Sequence, residues 1–147
     1  DDIQYVADAD AEIDGLHYID TKHQAIADER FRAVLGEAGA EGGTTELTKY
    51  EANELHYAVE SSEGGVLVFS EIYYPGWTCT VDGKANEVGR VNYVLRAIHL
   101  GSGRHEVVMT FKPSSITRTE TIAYGALIVL ALLLAGALLQ YFWRGRK

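Results

Sequence analysis

From Ile122 to Phe142 the chain reads "IAYGALIVLALLLAGALLQYF", 21 residues without a charge and with Gln140 as the one strongly polar side chain. At 1.5 Å rise per residue such a stretch makes a helix of about 31 Å, enough to cross a hydrocarbon core of about 30 Å. Tyr124 lies near one end, and Tyr141 and Trp143 near the other. Amphipathic rings favour those interface positions. The basic run "RGRK" follows at once. So long an apolar stretch with a basic stop argues against a buried core helix and for a membrane span.

Lys and Arg next to a span are retained on the cytoplasmic side. The expected orientation therefore places the tail inside and the preceding residues outside. A tail-anchored cytosolic protein would need the opposite, against the charge bias. The chain starts "DDIQYV", with neither a basic nor an apolar leader region. Export of the body is then expected to depend on an earlier span, which makes this the C-terminal piece of a longer multi-pass protein.

The body is acidic. Residues 1–63 hold 16 acids and 4 bases, and the formal net charge of the chain is −8. A nucleic-acid binder needs a basic face, so that class is excluded. Cys79 is the single cysteine, which rules out an internal disulfide or a cysteine-rich zinc site.

"IQYV" reads as a short strand, and Asp8 as the N-cap of a helix through "ADAEIDGLHYI". "HQAIA" reads as another strand. From Thr45 the period is two. In "ELHYAVE" Leu55, Tyr57 and Val59 share a face, and in "WTCTV" Trp77, Cys79 and Val81 do. "VLVFSEIYY" opens as a continuous apolar run, the pattern of a strand covered on both faces. Asp82-Gly83 is a strong hairpin signal, and the "GSG" at 101–103 is a second candidate. The expected architecture is mainly β. An antiparallel β-sandwich at 45–117 follows a small N-terminal α/β segment at 1–35 and a Gly-rich linker at 36–44. One transmembrane helix at 121–143 and a cytoplasmic basic tail at 144–147 close the chain.

The stretch "EIYYPGWTCTVDGK" concentrates two tyrosines, a Pro-Gly step, a tryptophan and the cysteine. Pro75 and Gly76 suit a type II turn, which splays hairpin strands; a corner between sheets is expected there. Trp77 reads first as a core anchor, and an exposed tyrosine beside it suits stacking on a sugar. "RVNYVLRA" puts Arg90, Asn92 and Arg96 on one strand face by parity. That row suits a phosphate or sugar hydroxyls, and suits pairing with the acidic N-terminal part equally well. Tyr74, Trp77, Arg90, Asn92 and Arg96 are therefore the candidate substrate-binding residues.

Catalytic and metal signals are weak. "DADAEIDG" offers Asp10, Glu12, Asp14 and Gly15 at calcium-loop positions, but Thr21 stands where a bidentate carboxylate is needed. The five histidines lack paired metal spacing. No nucleophile elbow or phosphate loop is present, and Cys79 sits on an apolar face. No catalytic residue, metal or cofactor is expected in this chain.

"FSEIYYPGWTCTVDGK", then "VGRVNYVLRAIHLGSGRHEVVMTFKPSS", then a terminal span, resembles the C-terminal region of the bacterial YfhO family. "ADERF" at 27–31, preceded by "DADAEIDGLHYID", is similar to the segment upstream in that family. The resemblance implies a large multi-pass protein of the bacterial cell membrane. Its membrane portion would be glycosyltransferase-like, using polyprenyl-phosphate sugars to glycosylate cell-envelope polymers. This fragment would then be non-catalytic, structural or substrate-guiding. Its partners would be the lipid bilayer, the rest of the same protein, and an envelope glycan or lipid-linked sugar. The alternative is a carbohydrate- or envelope-binding module on a membrane anchor. An independent hydrolase or transferase ranks last, for want of an acid/base pair.

Overall fold

In the computed structural model, residues 2–39 and 43–145 are described, except for the side chains of 114–117. The chain divides into two units, Asp1–Phe111 and Lys112–Lys147. The first is mainly β, with a small α/β segment at its start; the second carries one long apolar helix.

The N-terminal segment contains β1 (Asp2–Val6), α1 (Ala9–Gly15), β2 (Gln24–Asp28) and, after one 3-10 turn, α2 (Arg32–Leu35). Asp8 caps α1 as its sequence suggests, accepting a hydrogen bond from the Ala11 N–H at 2.9 Å. β1 and β2 pair in parallel, with Ile3 opposite Ala25.

Eight strands follow in two antiparallel sheets. One has five strands, β3 (Gly43–Glu51), β4 (Glu54–Ser61), β10 (Gly103–Phe111), β6 (Trp77–Val81) and β7 (Lys84–Asn86), in that spatial order. The other has three, β5 (Gly65–Ile72), β9 (Leu95–Leu100) and β8 (Gly89–Val91). The two-residue faces read in "ELHYAVE" and "WTCTV" hold. Leu55, Tyr57, Val59 and Cys79 join Phe69, Ile98, Leu100, Val107 and Met109 in the core between the sheets, with Trp77 and Val81 packed against it. Asp82 and Gly83 turn β6 into β7 with φ of 51° and 75°, the two positive values a type I′ turn requires.

A second core lies on the opposite face of the three-stranded sheet. It joins Ile3, Ala25, Ala27 and Leu35 to Val91 and Ala97, with Val66 and Leu95 packed against it. β9 thus alternates between two cores: Leu95 and Ala97 go to one, Ile98 and Leu100 to the other. The apolar start of β5 has the same cause, since Val66 packs to one side and Leu67 and Phe69 to the other. The first unit is therefore three layers, with the three-stranded sheet in the middle.

Two local expectations change. The "GSG" stretch is no hairpin: β9 and β10 belong to different sheets, so it carries the chain from one sheet to the other. "RVNYVLRA" is not one strand. It bends between β8 and β9, with Val91 paired to Leu95 and with Asn92 and Tyr93 at φ of 50° and 68°. Tertiary hydrogen bonds stabilise that bend, as described below, and no Gly or Pro announces it. Residues 40–42 of the Gly-rich linker expected at 36–44 lie outside the described residues.

The second unit contains α3 (Ser114–Arg144), 31 residues long, whose Arg118–Arg144 portion is long and apolar enough to cross a membrane.

Candidate functional site

The Tyr74–Trp77 segment is the corner between the two sheets, as the Pro-Gly step suggests. It leads from β5 in one sheet to β6 in the other. Gly76 sits at φ 108°, and the Trp77 N–H reaches the Tyr74 carbonyl at 3.4 Å. A side chain at position 76 would be strained. The turn leaves the Tyr74 ring 61% exposed and turns Trp77 towards the core.

Next to this corner lies an open groove of about 560 Å³, lined by Tyr50, Leu55, Glu71, Tyr74, Trp77, Arg96 and Phe111 among others. Phe111 pairs with Trp77 across β10 and β6, their rings 5.2 Å apart; Tyr74 and Phe111 lie at 6.2 Å. Tyr50 enters through the β3–β4 hairpin, where it is paired with Leu55.

Arg96 is 1% exposed. Strand parity puts it on the same side of β9 as Ile98 and Leu100, so a charge enters an otherwise apolar core. Its guanidinium lies 4.1 Å from the Trp77 ring centroid, a cation–π contact. Its Nη2 is 3.1 Å from Glu71 Oε2. That approach has ion-pair distance but no aligned hydrogen bond: Glu71 Oε2 and Arg96 Nε and Nη1 have no hydrogen-bonding partner among the described residues. Glu71 Oε1 accepts from the Tyr57 hydroxyl at 3.1 Å. Burial, with Glu71 beside it, pushes the Tyr57 phenol well above its ordinary pKa. Burial also pushes the Cys79 thiol up to about 11, partly opposed by Arg96. A thiol so held is a poor nucleophile.

Of the five candidate binding residues, Tyr74, Trp77 and Arg96 come together in this groove. Arg90 and Asn92 do not. Arg90 Nη2 pairs with Glu12 Oε2 at 2.5 Å, and its guanidinium lies over the Tyr93 ring at 5.3 Å. Asn92 is tied to β2: its N–H donates to the Ile26 carbonyl at 2.7 Å, and its Oδ1 accepts from the Ile26 N–H at 2.9 Å. The Glu12 carboxylate, fully buried, also accepts from the Tyr93 N–H at 2.8 Å. Glu12 thus faces inward, away from any calcium-loop role. Arg90, Asn92 and Glu12 together fasten the β8–β9 bend to the N-terminal layer.

Glu71, Tyr50 and Phe111 were missed as groove residues. Glu71 stands inside the aromatic stretch that drew notice to Tyr74 and Trp77. Tyr50 and Phe111 reach the groove only because β3, β10 and β6 lie in one sheet, which no local signal reveals.

The arrangement offers aromatic faces for stacking and a carboxylate as acceptor. It holds no paired acid and base at catalytic spacing and no activated nucleophile among the described residues. Among families of known proteins, a model described as "Bacterial membrane protein YfhO" matches residues 29–141. No curated protein and no solved structure matches the chain.

Proposed function

Since the chain belongs to the YfhO family of bacterial membrane proteins, we propose that it is the C-terminal extracytoplasmic domain and last span of a multi-pass protein that glycosylates cell-envelope polymers from lipid-linked sugars. The β-rich unit is non-catalytic in this reading and guides donor or acceptor towards a membrane-embedded active site. Two observations favour it. The apolar helix is followed by a basic tail, which favours a cytoplasmic C-terminus. Above all, one groove is lined by Tyr74, Trp77, Phe111 and Tyr50 together with Glu71. Aromatic faces suit the C–H faces of a sugar ring, and a carboxylate suits its hydroxyls.

Tyr74 is the residue to test, because its ring is largely exposed and its loss leaves the core intact. In cells carrying the full-length protein, Tyr74→Ala should lower glycosylation of the envelope polymer at unchanged protein level. Unchanged glycosylation would remove the guiding role. Protease added to spheroplasts should digest the β unit; protection until the membrane is breached would overturn the sidedness.

A further inference from the structure

Strand direction determines which end of the β unit the chain leaves from. β10 runs from Gly103, paired with Ser61, to Phe111, paired with Trp77. At about 3.4 Å per residue its two ends are about 27 Å apart. One end carries the turns Ser61–Gly64, Asp82–Gly83 and Gly101–Ser102. The other carries the β3–β4 hairpin, the Tyr74–Trp77 corner and the β8–β9 bend. The Phe111 N–H bonds to the Asn53 carbonyl at 2.9 Å, and the Tyr73 N–H to the Val94 carbonyl at 2.7 Å, which hold these three loops at one end.

The two ends differ in chemistry. The turns of the first hold Ser, Gly, Glu and Asp and no large apolar side chain. The second exposes Tyr50 (74%), Ile72 (65%) and Tyr74, with Tyr93 and Val94 also exposed. Exposed apolar groups gathered in one place mark an interaction surface.

Chain length limits what can cover it. Only Lys112 and Pro113 separate Phe111 from α3, so Cα 111 and Cα 114 are at most about 11 Å apart. The eight helical residues 114–121 add about 12 Å before the apolar run begins at Ile122. The interfacial layer on each side of a bilayer is itself about 5–8 Å thick. Phe111, at the aromatic end of β10, is therefore joined to the start of the apolar run by at most about 23 Å of chain.

We propose that the Tyr50–Ile72–Tyr74 end of the β unit docks on the headgroup zone of the bilayer that α3 crosses. Tyr50 and Tyr74 are suited to this zone, with an apolar ring and a polar hydroxyl, and Ile72 adds an aliphatic wedge between them. The proposal is independent of which leaflet is concerned and of any glycan.

The test uses the whole chain in vesicles of phosphatidylcholine and phosphatidylglycerol, with and without a nitroxide-headgroup lipid. An environment-sensitive fluorophore is attached to Ile72→Cys or, at the polar end, to Ser102→Cys. Cys79 stays unlabelled because it is buried, and its continued resistance reports that each variant is folded. The label at 72 should shift to the blue and be quenched several-fold more than the label at 102. Equal quenching at both sites, or a label at 72 that emits as in water, would overturn the docking. Should Ile72→Cys fail to fold, Val94→Cys against Ser62→Cys decides the question in the same way. Failure here leaves the guiding role of the groove standing, since the labels at 72 and 102 read lipid contact and no glycan.

Discussion

Removing Glu71 should destabilise the β unit more than removing Arg96, although the arginine is the larger and far more buried residue. The Glu71 side chain is 36% exposed and that of Arg96 is 2% exposed. Glu71→Ala leaves the guanidinium buried with only the Trp77 ring to face it. Stranding a buried charge costs about 3–5 kcal/mol, and the Tyr57 hydroxyl loses its acceptor for about 1 kcal/mol more. Arg96→Met refills most of the space. It forfeits a cation–π contact of about 2 kcal/mol, while Glu71 keeps its Tyr57 bond and turns to water. Its expected cost is about 1–3 kcal/mol. The double variant should be less destabilised than Glu71→Ala alone, because no charge is then stranded. Urea unfolding of the whole chain in mild detergent, in a Trp143→Phe background, would follow Trp77 fluorescence. With a slope of about 2 kcal/mol per molar, a loss of about 4 kcal/mol moves the midpoint by about 2 M. An Arg96→Met variant less stable than Glu71→Ala, or a double variant no better than Glu71→Ala, would refute this view of the pair.

Glu12→Ala should cost about 3–5 kcal/mol in the same assay, since it strands Arg90 and orphans the Tyr93 N–H. Gly89→Ala should cost about 1–3 kcal/mol by overpacking, because a Cβ there would lie 2.8 Å from Leu35, which is fully buried; a neutral result would show that Leu35 can yield. His105 and Asp82 share a 2.8 Å contact that raises the histidine's pKa and lowers the carboxylate's. The histidine's contribution is complete below about pH 6.5 and is lost as pH rises through its raised value. The carboxylate's is complete above about pH 4 and is lost as pH falls through its lowered one. Melting temperature should therefore decline from pH 6 to pH 8, and Asp82→Asn should flatten that decline.

What was legible in the sequence was local. The long apolar helix α3 follows from an uncharged run that, in lipid, only a helix could satisfy, because each backbone N–H bonds within its own segment. The Asp8 cap, the Asp82-Gly83 turn and the period-two faces of β4 and β6 depend on residues within a few positions of each other, so their signals survive in one dimension. Even the Pro75-Gly76 corner was readable, because those two residues preset φ.

What tertiary structure alone decided depends on partners far apart in the chain. Arg90 and Glu12 are 78 residues apart, and nothing near either announces the other. The bend at Asn92 is fastened by hydrogen bonds to β2, so parity carried across it placed Arg90, Asn92 and Arg96 together when they serve separate sites. β9 looks irregular in one dimension because it is the middle layer, with a core on each face. Its Arg96 became a buried charge only once β5, β6 and Trp77 had closed around it. Local propensity sets which segments become strands; which sheet each joins is settled by the summed burial of all of them.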